Sequence, residues 1–243
     1  MKALKSIFLM LILFNLGLVN LQAQDIHKHQ QWNQLVKTYV DADGNVDYKA
    51  LKQHENKLDA YLSLLNENPP KASWTKNQNK AYLINAYNAY TVKLIIDNYP
   101  LESIRDIGGF LNNPFTTEFA KIGGESYALD DIEKGMLLKM GDPRVHFAVN
   151  CASESCPRLA KEAYVASKLD QQLETAAKRF IRSDKNELSK NHVELSKIFK
   201  WYASDFERGG KSVIDFINTY SRQKINADAS IDYLPYSWAL NEK

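Results

Sequence analysis

The sequence predicts an α+β fold, mostly helical, with a small antiparallel sheet in a single domain. Three observations lead to this prediction. Apolar residues recur at helical spacing in several segments, the longest of which runs from about Lys76 to Asn98. The segments around Gly123-Gly124 and Lys190-Asn191 have the pattern of short β-hairpins. No internal repeat or low-complexity linker divides the chain.

The first 23 residues have the three parts of a secretory signal peptide. Lys2 and Lys5 form a basic start, an apolar run extends from Ile7 to Val19, and Leu21-Gln-Ala23 ends in a small-residue cleavage site. The apolar run is short for a membrane span, and no later stretch is long and apolar enough to form one. We therefore expect cleavage, a mature globular domain over residues 24–243, and a periplasmic or secreted location.

The composition narrows the classes of partner. The chain has 31 basic and 29 acidic residues and a net charge of +2, and its basic runs are interrupted, so we expect no nucleic-acid partner. Two cysteines in a chain of this size do not form a disulfide scaffold. We expect an unidentified small-molecule or peptide-like substrate, and the sequence indicates no cofactor and no metal.

Two shorter helices are predicted before the long one. Helical spacing covers Trp32–Tyr39 and Leu51–Leu65, and Pro69-Pro70 ends the second. The acidic segment between them resembles a calcium loop, but its glycine is misplaced and no acid stands at the twelfth position. A tight turn at Asp43-Gly44 explains this segment better.

The long helix is predicted to be buried in the centre of the fold. Thr75 is placed to cap its start, Tyr99-Pro100 ends it, and its middle is apolar or aromatic on nearly every side. Asn85 and Asn88 lie three residues apart on one face. Buried amides need hydrogen-bond partners, so these two either tie neighbouring loops together or take part in chemistry.

The second half of the chain is predicted to alternate short strands and helices. A helix begins at Asp130, where Asp130 and Glu133 fit a capping box, which is a structural role for Glu133. The other predicted elements are a hairpin at Phe119–Leu129, a strand at Val145–Val149, an amphipathic helix at Ser167–Ile181, a hairpin at Leu188–Leu195 and a last helix capped by Ser212.

The densest set of reactive side chains is Arg144, His146, Asn150, Cys151 and Cys156. They lie where the predicted strand gives way to a loop, and sites are often built at such places. A thiolate forms at neutral pH beside a cation or a base, and Arg144 and His146 are the nearest candidates. On a continuous strand His146 and Cys151 point to opposite faces, so a direct pair requires the strand to end near Asn150.

Three interpretations of the two cysteines stay open. An oxidising compartment favours a structural Cys151–Cys156 disulfide. A redox pair is less well supported, because the spacing is wider than Cys-x-x-Cys and no βαβ pattern surrounds it. In the third interpretation one cysteine is a nucleophile, activated by His146 with help from Glu133. The spacing of these residues does not match a zinc site.

At these residues the chain resembles the domain-of-unknown-function 547 family. The resemblance extends from about residue 44 to about 220 through the motifs GNVDYKAL, NKAYLINAYNAYTVKLI, LDDIEKGMLL, DPRVHFAVNCASESCP and LSKIFKWYASDF, with a tail like SWALN. It implies no settled activity. Lys134 stands where related sequences often have histidine, and Ser237 where aspartate is common. The positions that the resemblance implies are Asn85, Asn88, Glu133, Arg144, His146, Cys151, Cys156 and Pro157.

The leading hypothesis is an exported thiol-dependent enzyme, a cysteine hydrolase or acyl transferase acting on peptide-like or cell-envelope amides. Cys151 is the predicted nucleophile, His146 the general base, and Glu133 or Asn85 the orienting group. Substrate contacts are assigned to Arg144, Asn88 and Asn150. The alternative is a non-enzymatic binding or envelope-assembly module shaped by a Cys151–Cys156 disulfide.

Overall fold

The structure, a computed structural model, describes residues 25–109 and 113–243. The predicted signal peptide lies outside these residues, so the signal peptide, export and the start of the mature domain stay predictions. The fold is mostly helical α+β, as predicted. Its amino-terminal helices are α1 (Gln30–Tyr39), α2 (Tyr48–Lys52), α3 (Glu55–Glu67) and α4 (Lys76–Asn98). The sequence predicted a single helix where α2 and α3 stand.

Helix α4 forms the centre of the molecule. Thr75 and Gln78 form a reciprocal capping box at its start, and the helix ends before Tyr99-Pro100, as predicted. Every residue from 80 to 92 is buried. A helix that is covered on all sides presents its few polar side chains to neighbouring loops, and this determines what Asn85 and Asn88 contact.

The predicted first hairpin is confirmed. Strands β1 (Ala120–Ile122) and β2 (Glu125–Tyr127) pair antiparallel. The intervening Gly123 and Gly124 both have positive φ, at 65° and 87°, a backbone conformation that glycine adopts without strain. A π-helix follows at Asp131–Leu137.

The predicted strand at Val145–Val149 is wrong, because Pro143–Phe147 forms a 3-10 helix. The Asp142 carboxylate accepts a hydrogen bond from the backbone N–H of Arg144 (3.2 Å), and Pro143 fixes φ at the first helical position. All residues from 145 to 150 are buried. The apolar run therefore reflects burial on every side rather than a strand in a sheet.

The remaining elements form a second layer around a three-stranded sheet of order β3-β4-β5. The β3/β4 hairpin and the Ser212 cap were predicted, whereas β5 was not, and it pairs parallel with β4. The elements are α5 (Leu169–Ile181), β3 (Glu187–Leu188), β4 (His192–Leu195), α6 (Lys197–Trp201), α7 (Ala203–Phe206), α8 (Val213–Tyr220) and β5 (Ser230–Tyr233).

Two hydrophobic clusters make up the core, and the segment with both cysteines lies beside their junction. Val145, Ala148 and Ala152 belong to the larger cluster around α4. Phe147 belongs to the smaller one, where it stacks on Phe180 with ring centroids 5.1 Å apart. Residues 150–157, called here the cysteine loop, follow directly.

Candidate active site

Buried asparagine side chains hold the cysteine loop in place. The Asn88 side chain on α4 accepts a hydrogen bond from the backbone N–H of Asn150 (2.8 Å) and donates to the carbonyl of Ala148 (2.9 Å). The Asn150 side chain accepts from the N–H of Ala152 (2.9 Å) and donates to the carbonyl of Pro157 (2.8 Å). These amides satisfy backbone groups that have no strand partner, so the loop is fixed without regular secondary structure.

The backbone turns sharply directly after Cys151. Ala152 is fully buried and has φ of 58°, in the left-handed region that residues with a Cβ seldom adopt. The conformation costs roughly 1–2 kcal/mol. The carboxy-terminal segment stabilises it, because the N–H of Asn241 donates to the carbonyl of Ala152 and the N–H of Glu154 donates to that of Ala239. A strained turn beside a reactive residue is a recurring feature of nucleophile sites.

Three hydrogen-bonding side chains, those of Ser153, Tyr236 and Cys156, contact the sulfur of the half-buried Cys151. The Cys151 Sγ lies 3.2 Å from the Ser153 hydroxyl and 3.3 Å from the Tyr236 hydroxyl. The bond from Cys156, followed by those from Ser153 and Tyr236, outweighs burial and the charge of Glu133, and so lowers the pKa of the Cys151 thiol. The site therefore favours a thiolate at Cys151.

The two sulfur atoms have different roles. The backbone N–H of Cys151 donates to the Sγ of Cys156 at 2.8 Å. Burial and then the neighbouring Cys151 raise the pKa of the Cys156 thiol well above its ordinary value, which favours the neutral form of Cys156. Both cysteines are free thiols in the structure.

Cys151 opens into a cavity of about 340 Å³, called here the cysteine cavity. Its size lies within the usual range for small-molecule sites. Aromatic rings line its mouth: Tyr236 packs on Trp201 and Trp238, with centroid distances of 4.7 and 4.9 Å. Trp201 is 48% exposed, so this mouth presents apolar surface to solvent.

Glu133 also lines the cysteine cavity, from the π-helix. Burial raises the pKa of its carboxyl group above the ordinary value, and hydrogen bonds from Tyr202 and Tyr87 oppose this shift. The predicted capping box is wrong, since Asp130 makes no side-chain cap. The Glu133 carboxyl group is therefore free of a helix-capping role and lines the same cavity as the Cys151 thiol.

His146 lines the same cavity but is not hydrogen-bonded to Cys151. Its Nε2 lies 2.9 Å from Asp205, and its ring packs on Tyr202 with centroids 4.1 Å apart. Burial lowers the pKa of the imidazole, against the opposing effect of Asp205, so the ring favours its neutral form. Because Asp205 occupies Nε2, only Nδ1 is left for the base role that the sequence predicted.

Comparison with known proteins finds a family model that matches the centre of this chain. Residues 71–181 match the model described as "Protein of unknown function, DUF547". This segment is therefore similar to the DUF547 family. The match is shorter than the stretch from 44 to 220 over which the sequence motifs suggested it. No curated protein and no solved structure matches the chain.

The matched segment holds all of the predicted site residues, but four of them do not line the cysteine cavity: Asn85, Asn88, Arg144 and Asn150. Asn88 and Asn150, predicted as substrate contacts, instead hold the cysteine loop. Both amide atoms of Asn85 are engaged by the backbone of Tyr164, at 2.7 and 3.0 Å. Arg144 forms two hydrogen bonds with Asp142 (3.0 Å each) and a further ion pair with Asp170 (2.9 Å). Asn85 therefore supports a loop and Arg144 an ion-pair network, and neither is in place to act on a ligand there.

Lys134 and Ser237, the two residues that differ from those common in related sequences, each bind an acidic side chain. Lys134 lines the cavity and pairs with Asp130 at 2.7 Å. The Ser237 hydroxyl donates to the Glu154 carboxylate at 2.8 Å, a bond that an ionised aspartate cannot make. Ser237 thus helps to attach the carboxy-terminal segment to the cysteine loop.

The sequence patterns did not predict which residues form hydrogen bonds with the site residues. Ser153 and Tyr236 contact Cys151, Tyr87 and Tyr202 bond to Glu133, and Asp205 bonds to His146. Among these, only Ser153 is near its partner in sequence. A hydroxyl two residues after Cys151 is therefore the one local pattern from which such a contact could have been predicted. Tyr236 lies 85 residues from Cys151, so no local pattern predicts the contact.

Within residues 25–109 and 113–243, no group of three or more side chains of the kinds that bind metal ions occurs. In the same part of the chain no helix combines the length and apolar character needed to cross a membrane.

Proposed function

We propose that this protein is a thiol-dependent acyl-transfer enzyme, a hydrolase or acyl transferase, with Cys151 as nucleophile. The observation that carries the proposal is the set of three hydrogen-bonding side chains on the Cys151 sulfur, beside a buried carboxyl group, in a cavity large enough for a ligand. A structural thiol needs none of these features. Perturbed groups that meet in one cavity are typical of catalytic sites.

The proposed reaction begins with attack of the Cys151 thiolate on a carbonyl carbon. A C–S bond forms, the C–N or C–O bond of the substrate breaks, and the leaving group takes the proton of the Glu133 carboxylic acid. Water then attacks the thioester and gives one proton to the Glu133 carboxylate, and the C–S bond breaks to restore the thiolate. Glu133 suits the acid role because burial favours its neutral form.

His146 has a supporting role in this scheme. Because Ser153, Tyr236 and Cys156 already stabilise the thiolate, the attack needs no direct base on the sulfur. The neutral His146 ring, oriented by Asp205 and packed on Tyr202, holds the wall beside Glu133 in place. Any proton transfer by His146 would use Nδ1.

The substrate class is proposed from the compartment and from the shape of the cavity. The amino-terminal pattern supports export, which gives access to peptide-like and cell-envelope amides. The aromatic mouth formed by Trp201, Tyr236 and Trp238 supports a substrate with an apolar group next to the scissile bond.

The direct test is to trap the thioester. We expect p-nitrophenyl acetate to acetylate Cys151, as detected by mass spectrometry of the native protein, with a burst of p-nitrophenol. Cys151→Ala should remove the burst, whereas Cys156→Ser should keep Cys151 as the modified residue. Acetylation that is absent, or equally fast in urea-unfolded protein, contradicts the proposal.

One observation favours a second candidate, the binding or envelope-assembly module with a disulfide. Cys156 is close enough to Cys151 to share a hydrogen bond with it, so oxidation could join them after a small movement. Thiol titration of the native, unreduced protein separates the candidates. Two blocked cysteines that resist mild reduction support the module, and one fast-reacting thiol near neutral pH supports the enzyme.

A further inference from the structure

A second cavity, of about 600 Å³, adjoins the cysteine loop and shares Pro157 with the cysteine cavity. Its lining is strongly basic, and it is called here the basic cavity. Glu162 is the one carboxylate among the residues that line it. The basic lining residues are Lys37, Arg158, Lys161, Lys168, Arg179 and Lys185.

The architecture brings these cations together from distant parts of the chain. One wall is a face of α5, where Gln171, Thr175 and Arg179 recur every four residues and therefore lie in one row. The facing wall is the segment 157–162, which follows the cysteine loop. Lys37 on α1 completes the lining.

Most of the cations in the basic cavity have no counter-charge among the described residues. Arg158 pairs with Asp43 (3.0 Å), and Lys185 donates to a backbone carbonyl. Across the described parts of the chain, no ion pair involves Lys37, Lys161, Lys168 or Arg179.

Elsewhere in the molecule a lysine can be fully paired with carboxylates. Lys93 is held by three carboxylates within 3.0 Å, those of Glu55, Asp59 and Asp97. The chain as a whole has nearly as many acidic as basic residues. The excess of positive charge at the basic cavity is therefore local, and like charges gathered in a concave surface attract anions.

The basic surface continues beyond this cavity. Arg158 and Arg179 also line a neighbouring cavity of about 430 Å³, together with Lys178, Arg182 and Arg222. Guanidinium groups bind phosphate with two parallel hydrogen bonds, a geometry that lysine lacks. Cations lie on both walls of the basic cavity, and Arg158 and Arg179 also line the adjoining one. This arrangement can bind several phosphate groups at once rather than a single one.

We propose that the basic cavity binds a ligand carrying two or more linked phosphate groups, either a free oligophosphate or the headgroup of an anionic lipid. The lining favours this class over a single-stranded nucleic acid, which needs exposed aromatic rings for base stacking. The aromatic residues of the basic cavity, Phe147, Tyr164 and Phe180, are at most 4% exposed. The proposal does not depend on the thiol chemistry.

The test measures binding of inorganic tripolyphosphate to the purified protein by calorimetry. We expect one site and a drop in affinity of about tenfold for Arg179→Gln, because a hydrogen bond to a charged group is lost. Adding Lys168→Gln should weaken binding further.

The matched control is Lys49→Gln with Lys57→Gln, two exposed helical lysines that line none of the cavities described above. This control should bind like the parent, and urea unfolding midpoints should show that all variants fold.

Two further arms identify the source of the phosphate. Vesicles of phosphatidylcholine with and without cardiolipin test a lipid headgroup, and tripolyphosphate in solution tests a free ligand. Binding in either arm that weakens in Arg179→Gln but not in the control supports the proposal. Absence of binding in both arms, equal weakening in the control, or stronger binding of a single-stranded oligonucleotide of matched charge overturns it.

Discussion

The cysteine cavity and the basic cavity share Pro157 but differ in how their ionisable side chains are paired. In the cysteine cavity the ionisable groups bond to one another: Cys151 to Tyr236, Glu133 to Tyr202, and His146 to Asp205. In the basic cavity the flexible cations face solvent, mostly without partners in the described chain.

The difference indicates two kinds of recognition. Hydrogen bonds lower the pKa of Cys151 and burial raises that of Glu133, which favours the charged form of the thiol and the neutral form of the acid in one small volume. Exposed cations such as Arg179 instead act through their net field. The first arrangement suits bond-making, and the second suits the capture of a charged ligand.

The largest expected effect tests the pairing of acid and thiolate. Glu133→Gln should slow hydrolysis of an acyl p-nitroanilide by about a hundredfold or more, since the amine cannot leave without a proton. The p-nitrophenyl ester of the same acyl group should be affected much less, because its leaving group departs unassisted. Steady-state rates for both substrates check this, and equal losses for the two contradict the acid role. Iodoacetamide labelling of Cys151 should persist as the folding control.

The next effect concerns the loop that both cavities share. Asn150→Ala removes the hydrogen bonds to the N–H of Ala152 and to the carbonyl of Pro157, and leaves both buried backbone groups unpaired. We expect a loss of roughly 2–3 kcal/mol in the free energy of unfolding, measured by urea denaturation. Asn98→Ala, whose exposed side chain bonds to the Leu94 carbonyl, is the control and should change stability by less than about 1 kcal/mol. If the amide network is structural, thiol reactivity and tripolyphosphate binding should both weaken in Asn150→Ala.

The sequence predicted the helices far better than the site, for physical reasons. Thr75 and Ser212 cap helices through neighbours three residues away, so short-range patterns contain the information. The strand prediction at 145–149 failed because burial on every side produces an apolar run that does not depend on secondary structure. Most of the partners of the site residues, and the cations of the basic cavity, come together only through tertiary packing.

A smaller effect separates the sulfur's hydrogen bonds from its burial. Tyr236→Phe removes one donor to the Cys151 thiolate while keeping the ring. Because a donor favours the charged form, its loss should raise the thiol pKa. The pH profile of iodoacetamide labelling should move to higher pH, with slower labelling below the midpoint and the same plateau. Tyr127→Phe, on β2 and outside the cavity lining, should leave the profile unchanged. A shift toward lower pH in Tyr236→Phe would show that the hydroxyl does not stabilise the thiolate.

The smallest effect is expected from salt, and it sharpens the contrast between the two cavities. The partners of Cys151 touch its sulfur in a partly buried site, so raising ionic strength from about 0.05 M to about 0.5 M should change labelling by uncharged iodoacetamide less than about twofold. The same change should weaken tripolyphosphate binding by at least about tenfold, because exposed cations are screened over a few ångströms. Parallel titrations on one protein sample measure both. Strong salt dependence of the labelling rate would mean that distant surface charges, rather than Ser153, Tyr236 and Cys156, set the reactivity of Cys151.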